Sequence, residues 1–283
     1  MPLTPTQSDA LVAAIRTVAA EEIRPRFRRL DPADADRKRA FDDLVTVADR
    51  AAERAMTARF EVILPDAAVI GEEAISEGTA SLESVGAERC VVIDPIDGTW
   101  NYAHGIANYG VIVAVLEAGE TVWGCLYDPS FDDWVMAARG GGCHYHRAGA
   151  APRPLRTAQD APPPERLRGN VGEYLFPEAE RLRLAPLVPR FRRHMTLGAS
   201  LAEYRQMALG GTDFCLNGWL NVWDHAAGAL CLAEAGGCSR LLDGSPYRPA
   251  LSNRDAEGGA RLLNARSPAL WDTLAPIFNE ALA

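Results

Sequence analysis

One stretch constrains this chain more than any other: Cys90-Val91-Val92-Ile93-Asp94-Pro95-Ile96-Asp97-Gly98-Thr99. Its β-branched run reads as a buried strand, and the strand ends in two carboxylates three residues apart. Pro95 stiffens the turn between them. Gly98 permits a backbone geometry that other residues resist, and Thr99 can start a helix whose free N–H groups face an anion. A strand that delivers acidic side chains and a helix start to one place calls for a sheet with helices packed on it. In isolation a solvated Asp-Pro turn followed by a cap would explain the string, so its meaning depends on whether other carboxylates converge with it.

The rest of the chain supplies both kinds of element. Leu11, Ile15, Val18 and Ile23 recur at near-helical spacing, as do Val45, Ala48, Ala52, Ala55, Met56 and Phe60, which predicts two early amphipathic helices. Residues 31–38, charged and poor in large apolar side chains, are expected to form a mobile loop between them. Short apolar runs at 68–70, 91–93, 109–116 and 121–126 read as strands. Segments 199–209 and 224–235 read as helices closed by Gly210-Gly211 and Gly236-Gly237. Strands and helices therefore mix in both halves, an α/β pattern. The Gly-, Ala-, Arg- and Pro-rich stretch 140–164 is too short for a free linker, so a single domain spanning 1–283 is expected, with subdomains of roughly 1–150 and 151–283.

Composition limits the functional classes. The formal net charge of −9 opposes a general grip on nucleic acid, which needs excess Lys and Arg to displace counterions, so no direct nucleic-acid binding is expected. An acidic chain can still hold a phosphorylated substrate if metal ions supply positive charge. The six cysteines lack C-x-x-C spacing and sit among apolar or small residues, which reads as reduced core thiols. No signal-like start and no long apolar run is present, so a cytoplasmic protein without membrane association is expected.

Two further acidic positions bear on the first. Gly71-Glu72-Glu73 follows a short apolar strand, so at least one glutamate can face the same cleft, although adjacent glutamates are usually solvated. Trp223-Asp224-His225-Ala226-Ala227-Gly228 opens a helix whose later residues are small or apolar, with Asp224 either projecting from the helix start or simply capping it.

Taken in order, Asp43-Leu44-Val45-Thr46 with Asp49, Gly71-Glu72-Glu73, the run from Asp94 to Tyr102 (DPIDGTWNY) and the run from Trp223 to Gly237 (WDHAAGALCLAEAGG) resemble the inositol monophosphatase family. This family is a branch of the lithium-sensitive, metal-dependent sugar and nucleotide phosphatases. The resemblance covers nearly the whole chain and implies a layered αβαβα sandwich of two subdomains, with the site between them and a homodimer as the usual assembly. It implies that Glu72, Asp94, Asp97 and Asp224, with the backbone carbonyl of Ile96, are metal ligands. Such an all-oxygen set favours two or three Mg2+ ions, or Mn2+, over zinc. It further implies that Asp49 and Thr99 orient or deprotonate the attacking water and that the Gly98 and Thr99 N–H groups hold phosphate. Read as residues alone, Asp49 is a helix-surface aspartate and Thr99 a cap.

Lys38 stands where the family has a loop that can approach the site, while Arg37-Lys38-Arg39 reads locally as solvated charge. His225 reads as structural or solvent-facing, and Trp100, Asn101 and Tyr102 as shaping the turn. Inositol-specialised members carry a glutamate seven residues before the second-motif aspartate, where this chain has Asn217. The segment Ser200-Leu201-Ala202-Glu203-Tyr204-Arg205 also departs from the small, apolar pattern usual there. Ser200 and Asn217 are thus the candidate substrate contacts, and Arg205 reads as a solvated helix residue.

The expected reaction is magnesium-dependent hydrolysis of a small phosphomonoester, inositol phosphate or a relative. Histidinol-phosphate, fructose-bisphosphate or bisphosphonucleotide hydrolysis are alternatives, and a role as a partner of the transcription machinery is an alternative of another class.

Overall fold

The computed structural model describes residues 3–38, 44–251 and 261–283; Asp43 and Arg39 lie outside them. Its elements run in chain order as α1 (Pro5–Val18), β1 (Ala35–Arg37), β2 (Leu44–Thr46), α2 (Val47–Ile63), β3 (Ala68–Gly71), α3 (Glu72–Ser76) and β4 (Arg89–Asp97). There follow α4 (Thr99–Ala103), β5 (Gly110–Glu117), β6 (Glu120–Asp128), β7 (Asp133–Ala138), β8 (Gly142–Arg147), β9 (Arg153–Leu155), β10 (Arg168–Val171), α5 (Glu178–Leu184) and β11 (Arg193–Met195). The chain closes with α6 (Ser200–Ala208), β12 (Phe214–Asn217), α7 (Val222–Ala235), β13 (Cys238–Leu241), β14 (Leu262–Ala265) and α8 (Pro268–Leu282).

Among the described residues β3 to β9 form one sheet in sequential order, β3 pairing parallel to β4 and the rest antiparallel. A second sheet has the order β11-β10-β12-β14-β13. Alternation along β4 and β5 decides what each face of the first sheet meets. Val91, Ile93, Val111 and Val113 pack with Leu11, Ile15, Ala52, Met56 and Phe60 of α1 and α2. Cys90, Val92, Ile112 and Ala114 face Leu201, Met207, Ala227 and Cys231 of α6 and α7. The second sheet lies beyond that helix pair, and its far face packs Phe214 and Leu263 on Leu184, Leu270 and Phe278 of α5 and α8. Helices and sheets thereby alternate in five layers, the αβαβα sandwich.

The helix ends follow their sequence signals. Thr4 and Gln7 form a reciprocal capping box on α1, and Gly236 closes α7 in the left-handed region at φ 106°. Residues 31–38 do not form the loop expected for them. Ala35–Arg37 pairs antiparallel with Leu44–Thr46, and with Asp36 and Arg37 exposed this three-residue ladder needs little apolar burial. All six cysteines are free thiols, and all but the half-buried Cys238 are buried. Among the described residues no helix is long and apolar enough to cross a membrane.

Candidate active site

Asp94 and Asp97 are three residues apart, an odd separation that in a regular strand would send them to opposite faces. The ladder shows why they meet: Asp94 pairs with Ile112 and Asp97 with Gly110, so β4 spends one more residue than β5 over the same interval. This bulge, at Pro95-Ile96 where proline has no N–H to offer the ladder, turns Asp97 back toward Asp94. Asp224 comes from the first turn of α7, two residues inside a helix capped by Asn221, whose amide donates to Asp224 Oδ2 at 3.0 Å. Asp224 is therefore not the cap.

Oxygens of Asp94, Asp97 and Asp224 lie within 4.8 Å of one another. Such crowding is costly without a counter-charge. Asp94 Oδ1 is buried with no hydrogen-bond partner, and burial, then the charges of Glu72, Asp97 and Asp224, hold its carboxyl well above the usual range. Asp224 is raised likewise, by burial and then by Asp97 and Glu72. Asp97 is pushed up to about 7 by burial, even though it accepts hydrogen bonds from the backbone N–H groups of Leu201 (2.5 Å) and Ser200 (3.0 Å). Three oxygen donors, one of them orphaned, fit a hard divalent cation, whose charge would relieve both the repulsion and the unsatisfied oxygen.

Beside this cluster stands the second pair. The Thr99 hydroxyl lies 3.2 Å from Asp49 Oδ1 and 2.9 Å from the carbonyl oxygen of Ile96. Asp49 is not on a helix surface: it is 1% exposed, the reciprocal partner of Thr46 in the capping box of α2, and burial pushes it up to about 6. Nor is Thr99 the cap of α4. Gly98 holds that position at φ 81°, where a side chain would be strained and would meet Ala199 Cβ and Asn108 O at 3.0 Å.

Glu72 opens α3, but its Oε1 lies 2.9 Å from Lys38 Nζ, which is also 2.7 Å from Glu73 Oε1. Lys38 is thus an ion-paired and almost buried residue rather than a solvated one, because its partners lie on α3, 34 and 35 residues further along the chain. Burial lowers its pKa, but Glu72 and Glu73 outweigh that and raise it. Arg205 is likewise buried, paired with Asp133 and donating to the Leu126 carbonyl. It sits between α6 and the first sheet, which its position in the sequence does not disclose.

The remaining candidates divide. Ser200 reaches the cluster through its backbone N–H. Asn217 is 1% exposed, and its amide donates to Glu203 Oε2 at 3.4 Å. Glu203, itself buried, also accepts from Asn170 and from the Cys215 thiol. His225 is structural: Nε2 donates to the Trp219 carbonyl at 2.9 Å, Nδ1 accepts from the Tyr204 hydroxyl at 3.0 Å, and burial holds its pKa down at about 4. Asn101 ties Asn108 to Leu197, and Tyr102 donates to the Ile23 carbonyl, so both shape the turn.

Sequence reasoning missed Glu53. Its carboxylate accepts from the N–H groups of Glu73 and Ala74, both at 2.8 Å, and so caps α3 and fixes the helix that presents Glu72. The available signal was its place four residues after Asp49, on the same face of α2.

Comparison with known proteins gives the class. The model described as the inositol monophosphatase family matches residues 6–280. The chain is 33% identical to an inositol-1-monophosphatase of Rhizobium meliloti over 80% of this chain and 77% of the other. With an inositol-1-monophosphatase of Bacillus subtilis it shares 31% identity over 73% and 75%. The solved structure of a Thermotoga maritima IMPase superposes with a TM-score of 0.80 at 25% identity, covering 98% of each chain. The fold and relatives define a phosphatase, a phosphoric monoester hydrolase. The chain belongs to the inositol monophosphatase family.

Proposed function

We propose that the chain hydrolyses a small phosphomonoester with magnesium as cofactor and water as nucleophile. The observation that carries this reading is the convergence of Asp94, Asp97 and Asp224 beside a Thr99–Asp49 contact of 3.2 Å. Asp94, Asp97, Asp224 and Glu72, with the Ile96 carbonyl, would hold two or three Mg2+ ions, Mn2+ being the substitute. Bound there, the metal neutralises phosphate oxygens and makes water a better nucleophile. Asp49, buried and held near pH 6, is suited to accept a proton passed through the Thr99 hydroxyl. The Gly98 and Thr99 N–H groups are proposed to bind phosphate oxygens.

For substrate we propose an inositol-phosphate-like monoester, with Ser200 toward its leaving group and Asn217, buried against Glu203, bearing on the substrate from behind rather than by direct contact. One relative, 29% identical and from Thermotoga maritima, is a fructose-1,6-bisphosphatase/inositol-1-monophosphatase, so a sugar bisphosphate belongs in the same comparison. Cytoplasmic residence and a homodimer complete the proposal, and sedimentation gives the oligomeric state. The test is phosphate release from inositol 1-phosphate, histidinol phosphate, fructose 1,6-bisphosphate and adenosine 3',5'-bisphosphate, with magnesium or with chelator. Wild type should depend on magnesium and Asp94→Asn should lose nearly all turnover. Chelator-resistant hydrolysis that survives in the variant would sink the reading.

A further inference from the structure

Of the 29 lysine and arginine residues in the chain, one is lysine, and it is Lys38. Elsewhere every basic position is a guanidinium. The exception lies with its ammonium between two glutamates, Nζ 2.9 Å from Glu72 and 2.7 Å from Glu73, and with its side chain 6% exposed. The chemistry of the two side chains explains the choice. Guanidinium is a planar fork with fixed directions, whereas ammonium is a compact point charge that turns its donors to whatever oxygens surround it. Of all side chains it comes nearest to a small metal ion.

The position matters as much as the chemistry. Glu72 is the proposed metal ligand that stands outside the Asp94, Asp97 and Asp224 group, and its carboxylate is the one Lys38 contacts, through Oε1. We propose that Lys38 is a resident cation that occupies Glu72 in the absence of metal, and that magnesium must displace it: ammonium and Mg2+ compete for one carboxylate. The inference rests on Glu72 being a metal ligand.

Competition makes two effects run in opposite directions. Without Lys38, Glu72 and Glu73 face each other without a counter-charge, so the metal-free protein loses stability. Without Lys38, Mg2+ meets an unengaged Glu72, so it binds more tightly. A lysine that merely braced the fold would not give the second effect.

The experiment uses the full chain and magnesium alone. Chelator-stripped wild type and Lys38→Met, which keeps an unbranched stem of similar length, are titrated calorimetrically with MgCl2 and melted with and without it. The variant should bind Mg2+ about five- to tenfold more tightly, the low end of ordinary coupling between linked ligands. Its metal-free melting temperature should be lower and its magnesium-induced rise larger. An independent measurement needs no variant. Because the chain has a single lysine, limited acetylation followed by peptide mass spectrometry reads Lys38 apart from the N-terminal amine. Lys38 should be protected in the metal-free wild type and become reactive at saturating magnesium. Equal or weaker binding by Lys38→Met, or a Lys38 equally protected with and without metal, overturns the inference while leaving the metal site standing. Failure of both proteins to bind Mg2+ overturns the metal site and the inference together.

Discussion

Gly71 and Glu53 offer a direct test of how the site is built. Gly71 precedes α3 at φ −124° and ψ 162°, an extended conformation open to any residue. It is glycine for space: a Cβ there would lie 2.1 Å from Glu53 Cδ and 2.2 Å from Oε2. Alanine at 71 must therefore push Glu53 away, and Glu53 can leave only by giving up its bonds to the N–H groups of Glu73 and Ala74. A hydrogen bond to a charged group contributes about 1.5–3 kcal/mol, and overpacking costs about 1–3 kcal/mol, so Gly71→Ala should destabilise by about 3 kcal/mol. Glu53→Ala removes the same two bonds and should cost a similar amount. In the double variant, alanine at 71 meets no carboxylate, so the second substitution should add little or even recover about 0.5 kcal/mol by restricting the unfolded chain. The expected coupling is thus about 2–3 kcal/mol, read from urea unfolding of the two singles, the double and wild type in chelator. Additive losses would show that Glu53 and Gly71 do not share this contact and would remove Glu53 from the support of Glu72.

The other predictions concern charge and the proton path. Asp49, Glu53, Asp97 and Glu73 are pushed up to about 6, 7, 7 and 8, burial being the largest cause in each, whereas in an unfolded chain they ionise near about 4. The folded state therefore holds more protons between those values, and metal-free stability should fall as pH rises from about 5 to about 8; a rise over that range in chelator would contradict it. Saturating magnesium should flatten the slope, since a bound cation favours the ionised carboxylates. Thr99→Ala and Asp49→Asn should each lower kcat by about 100-fold or more while leaving calorimetric magnesium affinity largely intact. Parallel loss of metal binding and turnover would exclude the proton-accepting role.

Where function depended on local pattern, the sequence was readable. The β-branched runs became β3 to β6, the glycine-closed segments became α6 and α7, and three of the proposed ligands came together. What could not be read was what only the folded chain brings together. Arg37-Lys38-Arg39 looks like solvated charge because its neighbours in sequence are charged, yet the partners of Lys38 lie on α3. Arg205 misleads in the same way, since Asp133 is remote in sequence. The odd spacing of Asp94 and Asp97 gives no hint of the bulge that makes it work, because a bulge is a property of two strands. Asn217 was legible as a substitution but not as a buried partner of Glu203.

Helix α6 explains why these pieces are inseparable. Its first N–H groups hold Asp97 from the first sheet. Arg205, one turn on, grips Asp133 and the Leu126 carbonyl in that sheet, while Glu203 binds Asn170 and Asn217 in the second. Tyr204, between them, reaches His225, the neighbour of Asp224 on α7. A carboxylate cluster with two members from β4 and one from α7 needs all these anchors together, since burying like charges against each other is unfavourable unless their positions are fixed and a cation can join them. The first sheet ends at Leu155 and the second begins with β10 at Arg168, yet the site belongs to neither sheet alone. We therefore propose that residues 1–283 fold as one domain, with the two subdomains as layers around a shared helix pair rather than as units that could form the site apart.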